Sequence, residues 1–232
     1  MNKSDKDNTT PHKAANYDVE VRRTVPFYDH FYNQTIDLVK SVKPDARIWL
    51  DTGCGTGWLV SEAYVHFSHT HFVLVDPSRS MLDEAKTKLA TLQQDRIRFL
   101  PPVGTQDIEL ADDTTPDVIT AIQCHHYLDV ETRRIAAKKC YDMLADGGLY
   151  VTFENIHPNT NMGLNIGHER WQNYQRAQGR DEESVQYHRT RFNSEYFPIS
   201  VSDHLDLLTA CGFRDVELLW YSNMQAGFYA IK

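Results

Sequence analysis

The stretch that most constrains this chain is Ile48-Trp49-Leu50-Asp51-Thr52-Gly53-Cys54-Gly55-Thr56-Gly57-Trp58-Leu59. A short apolar run ends in an acid, passes through a loop with glycine at every second position, and enters an apolar segment able to open a helix. The glycines permit dihedrals closed to other residues and keep side chains off a ligand that must approach the backbone. The helix start beyond them offers unpaired N–H groups. Strand, acid, glycine loop and helix together predict a nucleotide-type site rather than an ordinary turn. A dinucleotide fingerprint would put its third glycine at position 58, which is Trp58, and no Gly-Lys-Ser/Thr follows, so a phosphate-cradling loop is excluded.

The pattern Asp51-x-Gly53-x-Gly55-x-Gly57 resembles motif I of the class I S-adenosylmethionine-dependent methyltransferases. The resemblance runs through nearly the whole chain from about residue 17. It implies an α/β, Rossmann-like sheet of seven strands in the order 3-2-1-4-5-7-6, strand 7 antiparallel, with helices on both faces. In that family the acid matching Asp51 helps to hold the methionine ammonium, and the glycine backbone lies along methionine and ribose. His71–Val75 reads as the second strand and ends at Asp76, the family's ribose-binding acid. Asp76-Pro77-Ser78-Arg79-Ser80-Met81 is a turn into a helix capped by Ser78, with Pro77 and Met81 counted among the cofactor contacts.

The third strand, 96–100, leads to Gly104-Thr105-Gln106-Asp107, where the family usually has Gly-Asp facing the adenine. Gln106 is the favoured contact, with Thr105 and Asp107 beside it. Strand four, 117–123, ends at Gln123, a further cofactor candidate, and runs into Cys124-His125-His126-Tyr127. A helix over 129–144, the Asp146-Gly147-Gly148 stop and a fifth strand over 149–154 follow. A helix ending near Gly212-Phe213 and two strands, 215–221 and 225–231, complete the fold. Before the glycine loop, Tyr28 is the candidate for an N-terminal segment that closes over the cofactor.

Residues 155–199 interrupt the alternation, and the family uses such an insertion as a substrate lid. Trp171, Tyr174 and Arg189 are its candidate substrate contacts, and a homodimer through this lid is its other use. Methyl transfer needs a general base only where the acceptor must lose a proton. His126 and His157 are the candidates. The resemblance thus implies an S-adenosyl-L-methionine-dependent methyltransferase for a small-molecule acceptor.

Two alternatives stand beside it. Arg23-Thr24-Val25-Pro26-Phe27-Tyr28, Tyr174-Gln175-Arg176-Ala177-Gln178-Gly179 and Arg189 look like the carboxy-S-adenosylmethionine synthases of transfer-RNA modification, from which Gly55-Thr56-Gly57 departs. A non-catalytic adenosylmethionine-binding protein is the other.

Composition narrows the rest. The 232 residues suit one domain over 17–232, with residues 1–16 a polar, flexible N-terminus. The net charge of −8 speaks against a nucleic-acid-binding face. Four cysteines without a Cys-x-x-Cys pair predict neither zinc site nor disulfide framework. His66, His69 and His71 read as loop histidines, with no metal expected. With no signal peptide and no membrane span, the expected location is the cytoplasm.

Overall fold

The computed structural model describes residue 7 and residues 9–232. Part of the expected N-terminal segment, residues 1–6 and 8, lies outside the described residues. Among the described residues eight α-helices surround a seven-stranded sheet: α1 (Tyr17–Thr24), α2 (Tyr28–Val42), β1 (Ile48–Thr52), α3 (Trp58–Ala63), β2 (His71–Val75), α4 (Arg79–Leu89), β3 (Ile97–Phe99), β4 (Val118–Ile122), α5 (Val130–Met143), β5 (Leu149–Asn155), α6 (Asn161–Ala177), α7 (Glu182–Thr190), α8 (Val201–Ala210), β6 (Arg214–Ser222) and β7 (Gln225–Ile231). The strand order is β3-β2-β1-β4-β5-β7-β6. Neighbours from β3 to β5 are parallel, whereas β7 runs antiparallel to both β5 and β6. Expected order and direction are both met.

The strands are apolar on both faces because helices cover both. Successive strand side chains point to opposite sides. Trp49, Phe72, Leu74, Val118 and Phe153 therefore pack with Phe31, Val39 and Leu89 of α2 and α4. Leu50, Val73, Ile119, Ala121 and Tyr150 pack the other way, onto Ala137 and Cys140 of α5 and Leu208 of α8. Local caps fix where helices begin. Ser78 Oγ accepts from Met81 N at the start of α4, and Asp129 Oδ1 accepts from Thr132 N at the start of α5.

The insertion after β5 forms α6 and α7, and it is tied to α1. Trp171 Nε1 donates to Thr24 O at 2.6 Å, Tyr174 Oη to Arg22 O at 2.6 Å, and Arg23 Nη2 to Gly179 O at 2.8 Å. Among the described residues no helix is long and apolar enough to cross a membrane.

Candidate active site

The site forms where β1, β2 and β4 end. Strand β1 delivers Asp51 and Thr52, and Cys54 N then donates to Val75 O at 3.0 Å, folding the glycine loop over the end of β2. Asp76 completes the turn, accepting from Gly55 N through Oδ2 (2.9 Å) and from Ser78 N through Oδ1 (2.8 Å). Gly55 sits at φ 54°, and a Cβ built there meets no atom within 4 Å, because the position faces open cleft. Gly57, at φ 72°, has a different reason to be glycine. A Cβ there would lie 3.1 Å from Ala85 Cβ and 3.2 Å from Leu89 Cδ1, so it lets α4 pack against the loop.

The resulting cleft holds about 970 Å³ of empty space, mouth included, and lies between the glycine loop, β4 and the N-terminal helices. Three acids line it, Asp7, Asp51 and Asp76, and among the described lining residues there is no Lys, Arg or His. Asp51 is 2% exposed, and Thr120 Oγ1 donates to its Oδ1 at 2.7 Å. Burial pushes its carboxyl up to about 7, against the Thr120 bond, which favours the ionised form; Asp76 nearby adds to the rise. Burial likewise lifts Asp76 to about 6, opposed by the two backbone N–H bonds it accepts. Two buried carboxyls that lack a cationic partner make a site suited to a cation and to hydroxyl donors, and hostile to phosphate.

A wall of phenols faces these acids. Tyr32 Oη donates to Tyr28 Oη at 2.9 Å, and the Tyr17 and Tyr28 hydroxyls are 3.1 Å apart. Helix α1, which carries Tyr17, is clamped to the glycine loop. Thr56 Oγ1 donates to Asp18 Oδ1 at 2.6 Å, and Lys88 Nζ reaches Asp18 Oδ2 at 2.6 Å.

Comparison with known proteins agrees with this geometry. Residues 50–150, which run from β1 to the start of β5, match a family model described as a methyltransferase domain. An N-methyltransferase, NodS, from Bradyrhizobium japonicum, solved with S-adenosyl-L-homocysteine, superposes with a TM-score of 0.63 at 17% identity, covering 95% of this chain and 94% of that one. The fold is that of the class I methyltransferases. A putative O-methyltransferase from Nostoc punctiforme superposes with a TM-score of 0.66 at 15% identity over 94% of this chain and 59% of its own. Among curated proteins, the carboxy-S-adenosyl-L-methionine synthase of Nautilia profundicola is 23% identical over 219 residues, 94% of this chain and 92% of its own. That of Shewanella loihica is 26% identical over 215 residues, 91% and 87% respectively.

Within this methyltransferase fold the residues singled out from sequence separate into two groups. Tyr28, Asp51, Gly53, Gly55, Asp76, Pro77, Met81 and Gln123 all line the cleft. Gly57 does not; it serves the packing of α4. Thr105, Gln106 and Asp107 are also outside the lining. Thr105 is buried against Thr52 (Oγ1 to Oγ1, 2.7 Å) and His125 (3.1 Å), and Gln106 Nε2 donates to the exposed Asp107 at 2.7 Å.

Neither expected base faces the cleft. His126 is 1% exposed and turned beneath the site, its Nδ1 2.6 Å from Glu154 Oε2. Glu154 is held at about 2 despite burial, because His126 and nearby histidines favour its ionised form. Its oxygens also accept from the backbone N–H of His125 and His126 and from Thr152 Oγ1. Burial keeps His126 neutral, so Nδ1–H donates to Glu154 and Nε2 accepts from Asn155 Nδ2 at 3.2 Å. His157 Nδ1 is 2.7 Å from Pro158 O, with its ring against Phe192.

The expected lid contacts are likewise placed elsewhere. Trp171 and Tyr174 fasten α6 to α1, and Arg189 Nη1 reaches back to Gln172 Oε1 at 3.4 Å. In place of Arg189 the lid turns Arg191 inward, into a chamber contiguous with the cleft. Tyr17, Tyr32, Cys124 and Tyr127 line the cleft without having been singled out. Only Tyr32 carried a signal, since its spacing of four from Tyr28 puts both on one helical face.

Proposed function

We propose that this chain is an S-adenosylmethionine-dependent methyltransferase acting on a small molecule. The observation that carries the reading is the cleft lined by Asp51 and Asp76, with no basic side chain among its described residues, at the carboxyl ends of β1, β2 and β4. Asp51 would accept from the methionine ammonium, Asp76 from the ribose hydroxyls, and the Gly53–Gly55 backbone would lie against the chain between them. The bound sulfonium supplies an activated methyl group. The protein's own contribution is alignment: the phenols of Tyr17, Tyr28 and Tyr32 wall the cleft opposite the acids, and α6 and α7 act as a lid through their hold on α1. Alignment of this kind is worth about 7–11 kcal/mol in favourable cases.

A second reading is a carboxy-S-adenosylmethionine synthase. It is favoured by the relatives of that name, which match this chain across its α6–α7 insertion as well as its core. Isothermal titration with adenosylmethionine and adenosylhomocysteine tests both, since binding of neither refutes them together. Native mass spectrometry of the ligand that copurifies separates them, because the carboxylated cofactor is heavier by the mass of the added carboxylate.

A further inference from the structure

A second substrate has to bring its nucleophile to within about 3–3.5 Å of the methyl group it takes, so it shares the electrostatic field of the cofactor cleft. That field is negative. Asp7, Asp51 and Asp76 line the cleft. Against desolvation, bonds from Ser80 N (2.9 Å) and from the Ser78 and Ser80 hydroxyls hold the Asp7 carboxyl below its ordinary value. S-adenosylmethionine carries one net positive charge, so with these carboxyls ionised an excess of negative charge remains once it is bound. Arg22, Lys88 and Arg191, which flank the cleft, are each paired with an acid: Asp29 at 2.7 Å, Asp18 at 2.6 Å and Glu195 at 2.8 Å. A cleft of one sign draws in the opposite charge and repels its own.

The wall opposite the acids offers neutral oxygens. Burial pushes the Tyr17, Tyr28 and Tyr32 phenols well above their ordinary value, so all three remain hydroxyls. Each hydroxyl has one hydrogen and two lone pairs. The two bonds of the chain, at 2.9 and 3.1 Å, use only two of the trio's lone pairs and leave acceptor capacity in the wall. The same cleft has an uncommitted donor. Gln123 is 8% exposed, and its Nε2 has no hydrogen-bond partner among the described residues. It lines the cleft just beyond β4, where a bond from its N–H to Phe153 O at 2.7 Å holds its backbone at φ 56°. A buried amide donor of this kind is completed by an oxygen on a ligand.

We propose that the methyl acceptor is a small amine bearing a neutral oxygen, such as an amino alcohol, with its nitrogen on the phenol oxygens and its oxygen on Gln123 Nε2. The acids favour its entry as an ammonium, which gives up one proton to water at the mouth of the cleft. The nitrogen lone pair then forms the N–C bond while the S–C bond breaks and leaves its electron pair on sulfur. The positive charge passes from sulfur to nitrogen and stays in the acid-lined cleft, whereas an oxyanion acceptor would cancel it. The N–H groups of the new ammonium find acceptors in the phenol oxygens. The proposal rests on the reading that the cleft holds S-adenosylmethionine.

The test uses the full chain saturated with S-adenosylhomocysteine and titrated with 2-aminocyclohexanol, cyclohexylamine, cyclohexane-1,2-diol and 2-hydroxycyclohexanecarboxylate. Saturation-transfer NMR and calorimetry near neutral pH give the affinities. The amino alcohol should bind at least about tenfold tighter than the diol or the hydroxy acid, a ratio within reach of one charge-assisted contact. It should bind about threefold tighter than cyclohexylamine, the scale of one neutral hydrogen bond. Tyr17→Phe and Tyr32→Phe should narrow the first ratio, and Gln123→Met should abolish the second. Gln123→Asn suits a left-handed backbone and withdraws the donor by one methylene, so it should act alike and keeps the test open if the Met variant does not fold. A diol or hydroxy acid bound as tightly as the amino alcohol, or none of the four bound, overturns the amine subsite alone. A screen of small amines, phenols, alcohols and carboxylic acids for adenosylhomocysteine release should show turnover of amines that rises with pH as the free amine accumulates. Turnover of no amine overturns nitrogen as the acceptor. Failure of adenosylhomocysteine itself to bind overturns the cofactor reading and the proposal with it.

Discussion

Replacing Asp51 by Asn separates what the site costs the fold from what it does for a ligand. The Asp51 carboxyl is displaced from 3.8 to about 7 because it is buried, against the hydrogen bond it accepts from Thr120. A raised carboxyl gives stability that is present below its unfolded value and lost as pH rises through its folded value. Relative to a neutral side chain, wild-type Asp51 therefore costs about 2 kcal/mol at pH 5 and about 4 kcal/mol at pH 8. Asn keeps an oxygen for the Thr120 hydroxyl and carries no charge. Urea unfolding of the ligand-free proteins should show the variant more stable, by up to those amounts, and by more at pH 8 than at pH 5.

Binding should move the other way. A cationic ligand favours the ionised carboxyl, so wild-type binding near pH 7 should release protons. Calorimetry in buffers of different ionisation enthalpy measures that release, and Asp51→Asn should abolish it while weakening adenosylmethionine by about 100-fold, the scale of one buried charge-assisted contact. A variant no more stable than wild type at pH 8, or one that binds the cofactor unchanged, would refute the assignment of Asp51 as a strained acid awaiting a cation.

Gly57→Ala should destabilise the fold by about 1–3 kcal/mol, through a left-handed backbone and contacts at 3.1 and 3.2 Å with α4, in chemical denaturation. Glu154→Gln should cost about 3 kcal/mol, because an amide cannot accept every bond that the ionised carboxylate accepts. The same carboxylate, held at about 2, gives wild type stability that is present above pH 4.5 and lost as pH falls toward 2, so the Glu154→Gln defect should shrink over that window in acid unfolding curves. Trp171→Phe removes the bond to Thr24 O and should cost about 1 kcal/mol in thermal unfolding, with looser cofactor binding if α6 keeps α1 seated on the glycine loop.

The alternation of apolar runs with capped helices determined the strands, the helices and the two covered faces of the sheet, because periodicity and capping are local properties of the chain; the strand order followed from the resemblance of its motifs to a known family. The same holds for Asp51, Gly53, Gly55 and Asp76, which stand at strand ends where this topology opens its crevice. Residues brought in from elsewhere could not be read in that way. Gly57 has the motif's spacing, yet its reason is Ala85 and Leu89 of a helix some thirty residues on. His126 sits at the right strand end, but Glu154 of the neighbouring strand turns its ring under the site. Arg189 and Arg191 are two residues apart on the same segment, so the sequence offers both. Which one faces the chamber depends on how α7 and the turn after it sit against β5 and α1. That choice belongs to packing, where side-chain direction is set by neighbours distant in sequence, and it decided that a buried arginine borders the cleft.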